Sequence, residues 1–311
     1  MAEKMRIRFL VRKGNYEIVD RAHVEPILKH LEEGEIDYES SSAALNVSLS
    51  WEVFPKADVF MSHGLADKNW RNADKMSGYD HVLVSGPAWK EKLVGQGMSP
   101  DAISVVGYPF LDPVWDLERS RELLVWAPTH KATSDVTTEG RLSETLLDRL
   151  RKEFPLKIVA HPVGSKRLSR DVLPRAAVVI ADAGSTLYEA WAFGVPVIFP
   201  DWLVKEAILK KWPGSFEALI YERGLGWHAN SEGELVDLIG MIWKTGELGT
   251  GVEEFMEGIL PSELRGCSGE VAARELERLR DLKVEVKVES SSDWLWGDRE
   301  CGDKRACKPR G

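Results

Sequence analysis

Short apolar runs rich in Val, Ile and Leu recur along this sequence, with stretches of helical apolar spacing between them. Residues 6–11, 59–61, 82–84 and 104–106 form one series of runs, and residues 123–127, 157–160, 178–181 and 195–199 form a second. Each run is short, and six of the eight are followed directly by Gly, Pro, Ser or Asp. Such runs suit strands covered on both faces, because a strand with one wet face alternates apolar with polar residues. Residues 25–33, 87–96, 142–153, 187–193 and 232–244 carry the helical spacing. Strand alternating with helix predicts parallel βαβ units and an α/β architecture.

A chain of 311 residues has room for two such domains. The break falls where Pro109 and Pro113 interrupt regular structure and a charged stretch (Asp116, Glu118, Arg119, Arg121, Glu122) leads into the second series. The expectation is one α/β domain over residues 1–118 and a second over 119–283, the latter ending in a helix that starts near Ser268. Residues 284–311 read as a flexible tail, since serines, Trp294, Trp296, charges, Cys301 and Cys307 follow one another there without periodicity.

Composition excludes several classes. Fifty acidic against 41 basic residues leave a net charge of −9, which argues against nucleic acid or anionic lipid held by overall charge. A local basic groove (Arg6, Arg8, Arg12, Lys13, Lys68, Arg71) stays open as an alternative. No apolar run reaches the roughly 20 residues of a membrane span, and the N-terminus carries no signal-peptide core. Three cysteines are too few and too scattered for a disulfide framework or a structural zinc site. The expectation is a cytoplasmic protein with no metal site. GxxxxGK[ST] and a strand-linked GxGxxG are both absent from the sequence, which disfavours a P-loop ATPase and a nicotinamide enzyme.

Four segments place polar chemistry at strand ends. In residues 178–200 a strand ends at Asp182, and Gly184-Ser185-Thr186 opens a helix with Glu189 one turn in. Such a start offers backbone N–H groups, hydroxyls and a positive dipole end to a phosphate; the same residues also serve an ordinary N-cap. In residues 58–71 a strand runs into Ser62-His63-Gly64, where an imidazole with an ordinary titration near neutrality suits a general base. A histidine bonded to local backbone is the alternative there. Residues 123–131 lead into Thr129-His130-Lys131, a hydroxyl and a cation at a third strand end, and residues 158–167 lead into His161-Pro162 with Lys166 and Arg167 nearby. In a parallel sheet these ends converge on one edge, where open α/β sheets bind ligands. That convergence suits a diphosphate.

Taken in order, these segments resemble the CDP-glycerol glycerophosphotransferase family of GT-B-fold transferases. The resemblance is carried by His63-Gly64, Gly107-Tyr108-Pro109-Phe110-Leu111-Asp112, Ala127-Pro128-Thr129, His161-Pro162, Asp182-Ala183-Gly184-Ser185-Thr186 and Pro196-Val197-Ile198. It covers roughly residues 58–201, with a fainter echo at residues 266–278. Ser62 stands where the family has Trp, His130-Lys131 where it has an aromatic residue and Arg, and Ala183-Gly184 where it has a Tyr-Ser pair. The last change brings the helix start closer to the nucleotide-sugar 2-epimerases and glycosyltransferases of the same fold.

The resemblance implies two Rossmann-like parallel-sheet domains facing a cleft. It implies a CDP- or UDP-activated donor held mainly by the second domain, with no tightly bound cofactor. A glycosyl or glycerophosphate-like group would pass to a hydroxyl acceptor: a glycan, a polyol-phosphate polymer or, less favoured by charge, a modified nucleic-acid base. By the same carry-over His63 is the base, His161, Ser185 and Thr186 bind the pyrophosphate, and Glu189 binds the ribose. Thr129, Lys131 and Gly184 join the donor-binding set. A UDP-sugar 2-epimerase and a non-catalytic nucleotide-sugar-binding module are the rival readings.

Overall fold

Residues 6–105 fold around a parallel sheet of β1 (Arg6–Leu10), β2 (Gly34–Asp37), β3 (Ala44–Ser48), β4 (Val59–Met61), β5 (His81–Val84) and β6 (Ile103–Val105), in the order β2-β1-β3-β4-β5-β6. Helices α1 (Glu17–Leu28), α2 (Ala73–Met76) and α3 (Pro87–Gly95) lie among these strands, and a 3-10 segment at Pro109–Val114 leads onward. The computed structural model describes residues 5–54, 56–70, 72–131, 134–159 and 168–295, with side chains to residue 285.

The second sheet holds β7 (Leu123–Ala127), β8 (Leu156–Ile158), β9 (Ala176–Ala181), β10 (Val197–Pro200) and β11 (Trp227–Ala229), in the order β11-β10-β9-β7-β8. Helices α4 (Glu144–Glu153), α5 (Ser185–Ala192), α6 (Asp201–Lys211), α7 (Phe216–Arg223) and α8 (Glu232–Thr245) accompany it. The chain then returns through α9 (Val252–Ile259) and α10 (Ser268–Leu295). Every strand pairing in both sheets is parallel, as continuous apolar runs require.

All eight apolar runs overlap strands. Beyond them the structure adds β2, β3 and β11, and it starts α1 at Glu17, well before residue 25. The core has three parts. Ile7, Phe9, Val47 and Val59 pack against Val24 and Ile27 of α1. Leu124, Trp126, Val178 and Ile180 pack under Leu146 and Leu150 of α4 and Ile239 of α8. A third cluster runs between the halves, from Phe60 and Val82 through Tyr108 to Val179 and Leu187. The two sheets therefore share apolar contacts beneath the cleft that separates their strand ends.

The terminal helix corrects two expectations. The sequence pattern puts it with the second domain, yet Ala272, Ala273 and Leu276 of α10 are buried in the first-half core with Ile7 and Val24. Small alanines at the contact let α10 approach α1 closely. The helix also runs past residue 283 to Leu295; residues 296–311 of the expected tail lie outside the described residues. Among the described residues no helix is long and apolar enough to cross a membrane.

Candidate active site at the cleft

Parallel strands point all their C-terminal ends the same way, so the polar residues that follow them collect along one edge of each sheet. At the end of β4 the chain turns tightly: the Ser62 hydroxyl donates to the Gly64 carbonyl at 2.6 Å, and the Gly64 N–H donates back to Ser62 Oγ at 3.2 Å. That turn lifts His63 out of the sheet. Its Nδ1 lies 2.7 Å from the Leu49 carbonyl oxygen, a contact that only an N–H makes attractive. In the neutral ring the proton is therefore assigned to Nδ1 and the lone pair to Nε2.

At the end of β9, Asp182 is fully buried and serves as the organising acceptor of the second half. It takes the Thr129 N–H at 3.0 Å, the Thr129 hydroxyl at 2.6 Å, the Thr138 N–H at 2.7 Å and the Ala183 N–H at 2.6 Å. A buried carboxylate surrounded by donors in this way is satisfied, and it fixes the β7 and β9 ends against each other. Gly184 then caps α5 without a side-chain bond. The hydroxyl of Ser185 does not cap its own helix. Its Oγ instead accepts the N–H groups of Leu65 and Ala66 at 3.1 and 3.2 Å, joining the His63 turn to the α5 N-terminus. Ordinary capping by Ser185 is thus not what the structure shows.

One cavity of about 560 Å³ results, walled by His63 and Lys68 from the first half and by Thr129, Gly184, Ser185 and Thr186 from the second. That volume falls in the range of small-molecule sites. Glu189 also lines it but is spoken for: its Oε1 accepts the Tyr108 hydroxyl at 3.0 Å and its Oε2 accepts the Ser169 hydroxyl. Burial pushes its carboxyl up to about 6, against the pull of those two bonds. Lys131 is exposed and outside the cavity wall, because Thr137 and Thr138 bond back to Thr129 and Asp182 and turn the loop away. His161, with Lys166 and Arg167, lies outside the described residues.

Sequence reasoning missed His23. It lies on α1 and is 1% exposed, with its ring centroid 6.5 Å from that of His63. Its Nδ1 faces the Val19 carbonyl at 2.7 Å and its Nε2 the Tyr108 hydroxyl at 3.1 Å. A chain of contacts therefore runs from Glu189 through Tyr108 to His23. Burial holds the His23 imidazole neutral, down to about 3. No sequence signal marks this residue, which looks like any histidine in an amphipathic helix.

No family model matches the chain, and no curated protein matches it. Solved structures do. The wall teichoic acid polymerase TagF aligns over 92% of this chain and 90% of its own, at 15% identity and a TM-score of 0.54. A variant of TagF soaked with CDPG gives a TM-score of 0.60 at 13% identity, over 91% and 90% of the two chains. A Listeria monocytogenes protein described as a UDP-N-acetylglucosamine 2-epimerase gives 0.50 at 12% identity, over 91% and 98%. The chain has a GT-B fold. The likeness read from the sequence thus holds for the architecture of this GT-B chain: two parallel sheets whose strand ends face one cleft.

Proposed function

We propose that this GT-B chain is a transferase that moves a glycosyl or polyol-phosphate group from a CDP- or UDP-activated donor to a hydroxyl acceptor. The observation that carries the reading is the meeting, in one cavity, of the His63 imidazole with the α5 N-terminus and its Ser185 and Thr186 hydroxyls. The donor diphosphate is assigned to Gly184, Ser185 and Thr186, where N–H groups and the positive end of the helix dipole favour negative charge; Thr129, whose N–H and hydroxyl both donate to Asp182, borders that seat. His161 belongs to this set by resemblance. Glu189 belongs to the ribose edge by resemblance, and taking a ribose hydroxyl there requires it to exchange the Tyr108 or Ser169 hydroxyl that it now accepts; the scheme uses no tightly bound cofactor.

In the reaction Nε2 of His63 takes the acceptor hydroxyl proton as that oxygen attacks the donor. Attack at the distal phosphorus expels the nucleoside monophosphate; attack at an anomeric carbon expels the diphosphate. Either way the bond to a phosphate oxygen breaks and negative charge grows on the leaving nucleotide. Preorganised donors aimed there stabilise the transition state more than the ground state.

A thermal-shift panel of CDP, UDP, GDP, ADP and their sugar or polyol conjugates tests the reading. A ligand at about a hundred times its Kd stabilises the native state by roughly 2.7 kcal/mol. Selective response to CDP compounds favours polyol-phosphate transfer, and response to UDP compounds favours glycosyl transfer or epimerisation. Silence toward every nucleotide overturns it.

A further inference from the structure

The cavity wall carries Arg12, Lys68 and Lys75; Arg12 pairs with Asp20 and Lys75 donates to the Trp70 carbonyl, which leaves Lys68 as the buried ammonium that the scheme above has not used. Lys68 is only 4% exposed, although lysine ordinarily keeps its ammonium in water. Its Nζ lies 3.4 Å from Thr129 Oγ1, a long contact to a hydroxyl that already donates to Asp182. The rings of Trp70 and Trp212 flank the ammonium, with centroids 4.8 and 5.5 Å away. Among the described residues no carboxylate lies within ion-pair distance of it.

The surrounding acids are engaged elsewhere. Glu217 accepts the backbone N–H groups of Asp67 and Lys68 at 2.9 and 2.7 Å and the Tyr188 hydroxyl at 2.8 Å. Asp67 pairs with Lys92, and Asp182 is saturated by the Thr129 and Thr138 donors. The clamp on the Lys68 N–H holds the residue at a φ of +46°, a left-handed conformation that a lysine adopts only when its surroundings impose it. The loop is thus bent so that the side chain points into the cavity. Burial disfavours the ammonium, and the charges of Glu217 and Asp182, neither at ion-pair distance, offset only part of that cost. Cation–π contact offsets another part; an anion lodged in the cavity would offset the rest.

We propose that Lys68 binds the diphosphate of the donor, so that the donor site is completed by the first half of the molecule. This rests on the donor-site reading above and adds the group that distinguishes a diphosphate from a monophosphate. A helix N-terminus presents only about half a unit charge, enough to seat one phosphate. A second phosphate needs a further cation, and Lys68 supplies it. The tryptophan rings also keep the ammonium poorly hydrated, which strengthens its hold on phosphate oxygen.

Calorimetric titration of CDP, UDP, CMP and UMP into the wild-type protein, Lys68→Met and Lys68→Arg tests the assignment. The wild type is expected to prefer a nucleoside diphosphate over its monophosphate by an order of magnitude or more. Lys68→Met should weaken the diphosphate by about 10- to 100-fold, the scale of one charge-assisted hydrogen bond, while changing the monophosphate less than about threefold. Lys68→Arg should keep most of the preference. Thermal unfolding of the apo proteins controls for folding, and Lys68→Met, which removes a buried charge, should unfold no earlier than the wild type. An unchanged diphosphate preference in Lys68→Met, or an equal loss for both nucleotides, overturns the assignment of Lys68 alone. Failure of the wild type to bind any of the four overturns the donor-site reading beneath it.

Discussion

At the scale of single residues, two histidines with adjacent rings do opposite things. His63 reaches the cavity at a strand end, with Nδ1 held by a backbone carbonyl so that Nε2 can take a proton. Replacing it with alanine should lower turnover by about 10²- to 10⁴-fold, the usual worth of a general base, with nucleotide affinity within about threefold of wild type. Unchanged turnover in His63→Ala would remove the base assignment. His23 beside it is kept neutral by burial, down to about 3, whereas in the unfolded chain it titrates near 6.5. The unfolded state therefore binds one more proton between those values, and stability falls as pH drops through 6.5 toward 3. The slope from this residue alone is about 1.4 kcal/mol per pH unit. Glu189, raised to about 6, works the other way: the folded state holds its proton longer, so stability falls as pH rises from about 4.5 to 6. His23→Gln isolates the first contribution. Urea unfolding at pH 4.5, 5.2 and 6 should show the wild type losing stability toward acid faster than the variant; parallel curves would disprove a buried neutral His23. Sequence could find His63, Ser185 and Thr186 because each follows an apolar run. It could not find His23, because burial of a helical histidine depends on what packs over it, here Tyr108 and Phe110.

Among the elements, the contact between the β4 turn and the α5 start sets the site. A Cβ added at Gly64 would sit 2.7 Å from Ser185 Oγ, so Gly64→Ala should push the turn off α5. The expected cost is about 1–3 kcal/mol in unfolding free energy, as for other overpacked sites. Ser185→Ala in the same background should recover part of it, which a double-mutant cycle measures; strict additivity would mean the two residues do not press on each other. Leu276 of α10 makes a different kind of claim. It is fully buried among first-sheet residues, and Leu276→Ala should cost about 2–5 kcal/mol. A cost below about 1 kcal/mol would show that α10 contributes little to that core. The apolar runs made most strands readable in advance, and those that escaped have physical reasons. β2 is an edge strand of sequence Gly-Glu-Ile-Asp, partly exposed along its length. β11 is a three-residue edge strand, and β3 is interrupted by Asn46, which bonds Asp58. Their pairing comes from the neighbouring strand and not from their own pattern.

For the molecule as a whole, the sequence break near residue 119 separates the two sheets but not the two packing units. The chain crosses back at α9, which packs on α3 and α5, and at α10, which packs on α1. Local periodicity says where a helix forms, not which half it covers. The halves are also tied by polar contacts at the cleft. Arg170 donates to the carbonyls of Ala22 and Phe110, and Tyr108 reaches Glu189. The tightest tie is Glu217 at the start of α7, which accepts two successive N–H groups of the 67–68 loop while Asp67 accepts the Phe216 N–H at 3.0 Å. Two carboxylates exchange donors across the interface here. Burial, and then the charge of Asp67, raises the Glu217 carboxyl above its ordinary value. Glu217→Gln keeps the volume but offers one acceptor oxygen where the loop presents two N–H donors, so one of them must lose its partner. The consequence should be local. Amide hydrogen exchange at residues 65–68 should accelerate by about 10-fold or more, the scale of one buried hydrogen bond, with α4 and α8 amides unchanged. The same loop carries Lys68, so diphosphate affinity should fall with it while monophosphate affinity holds. Faster exchange throughout both halves would mean that Glu217 supports global stability; faster exchange confined to the loop identifies it as the clasp that holds the first half's cation over the second half's helix.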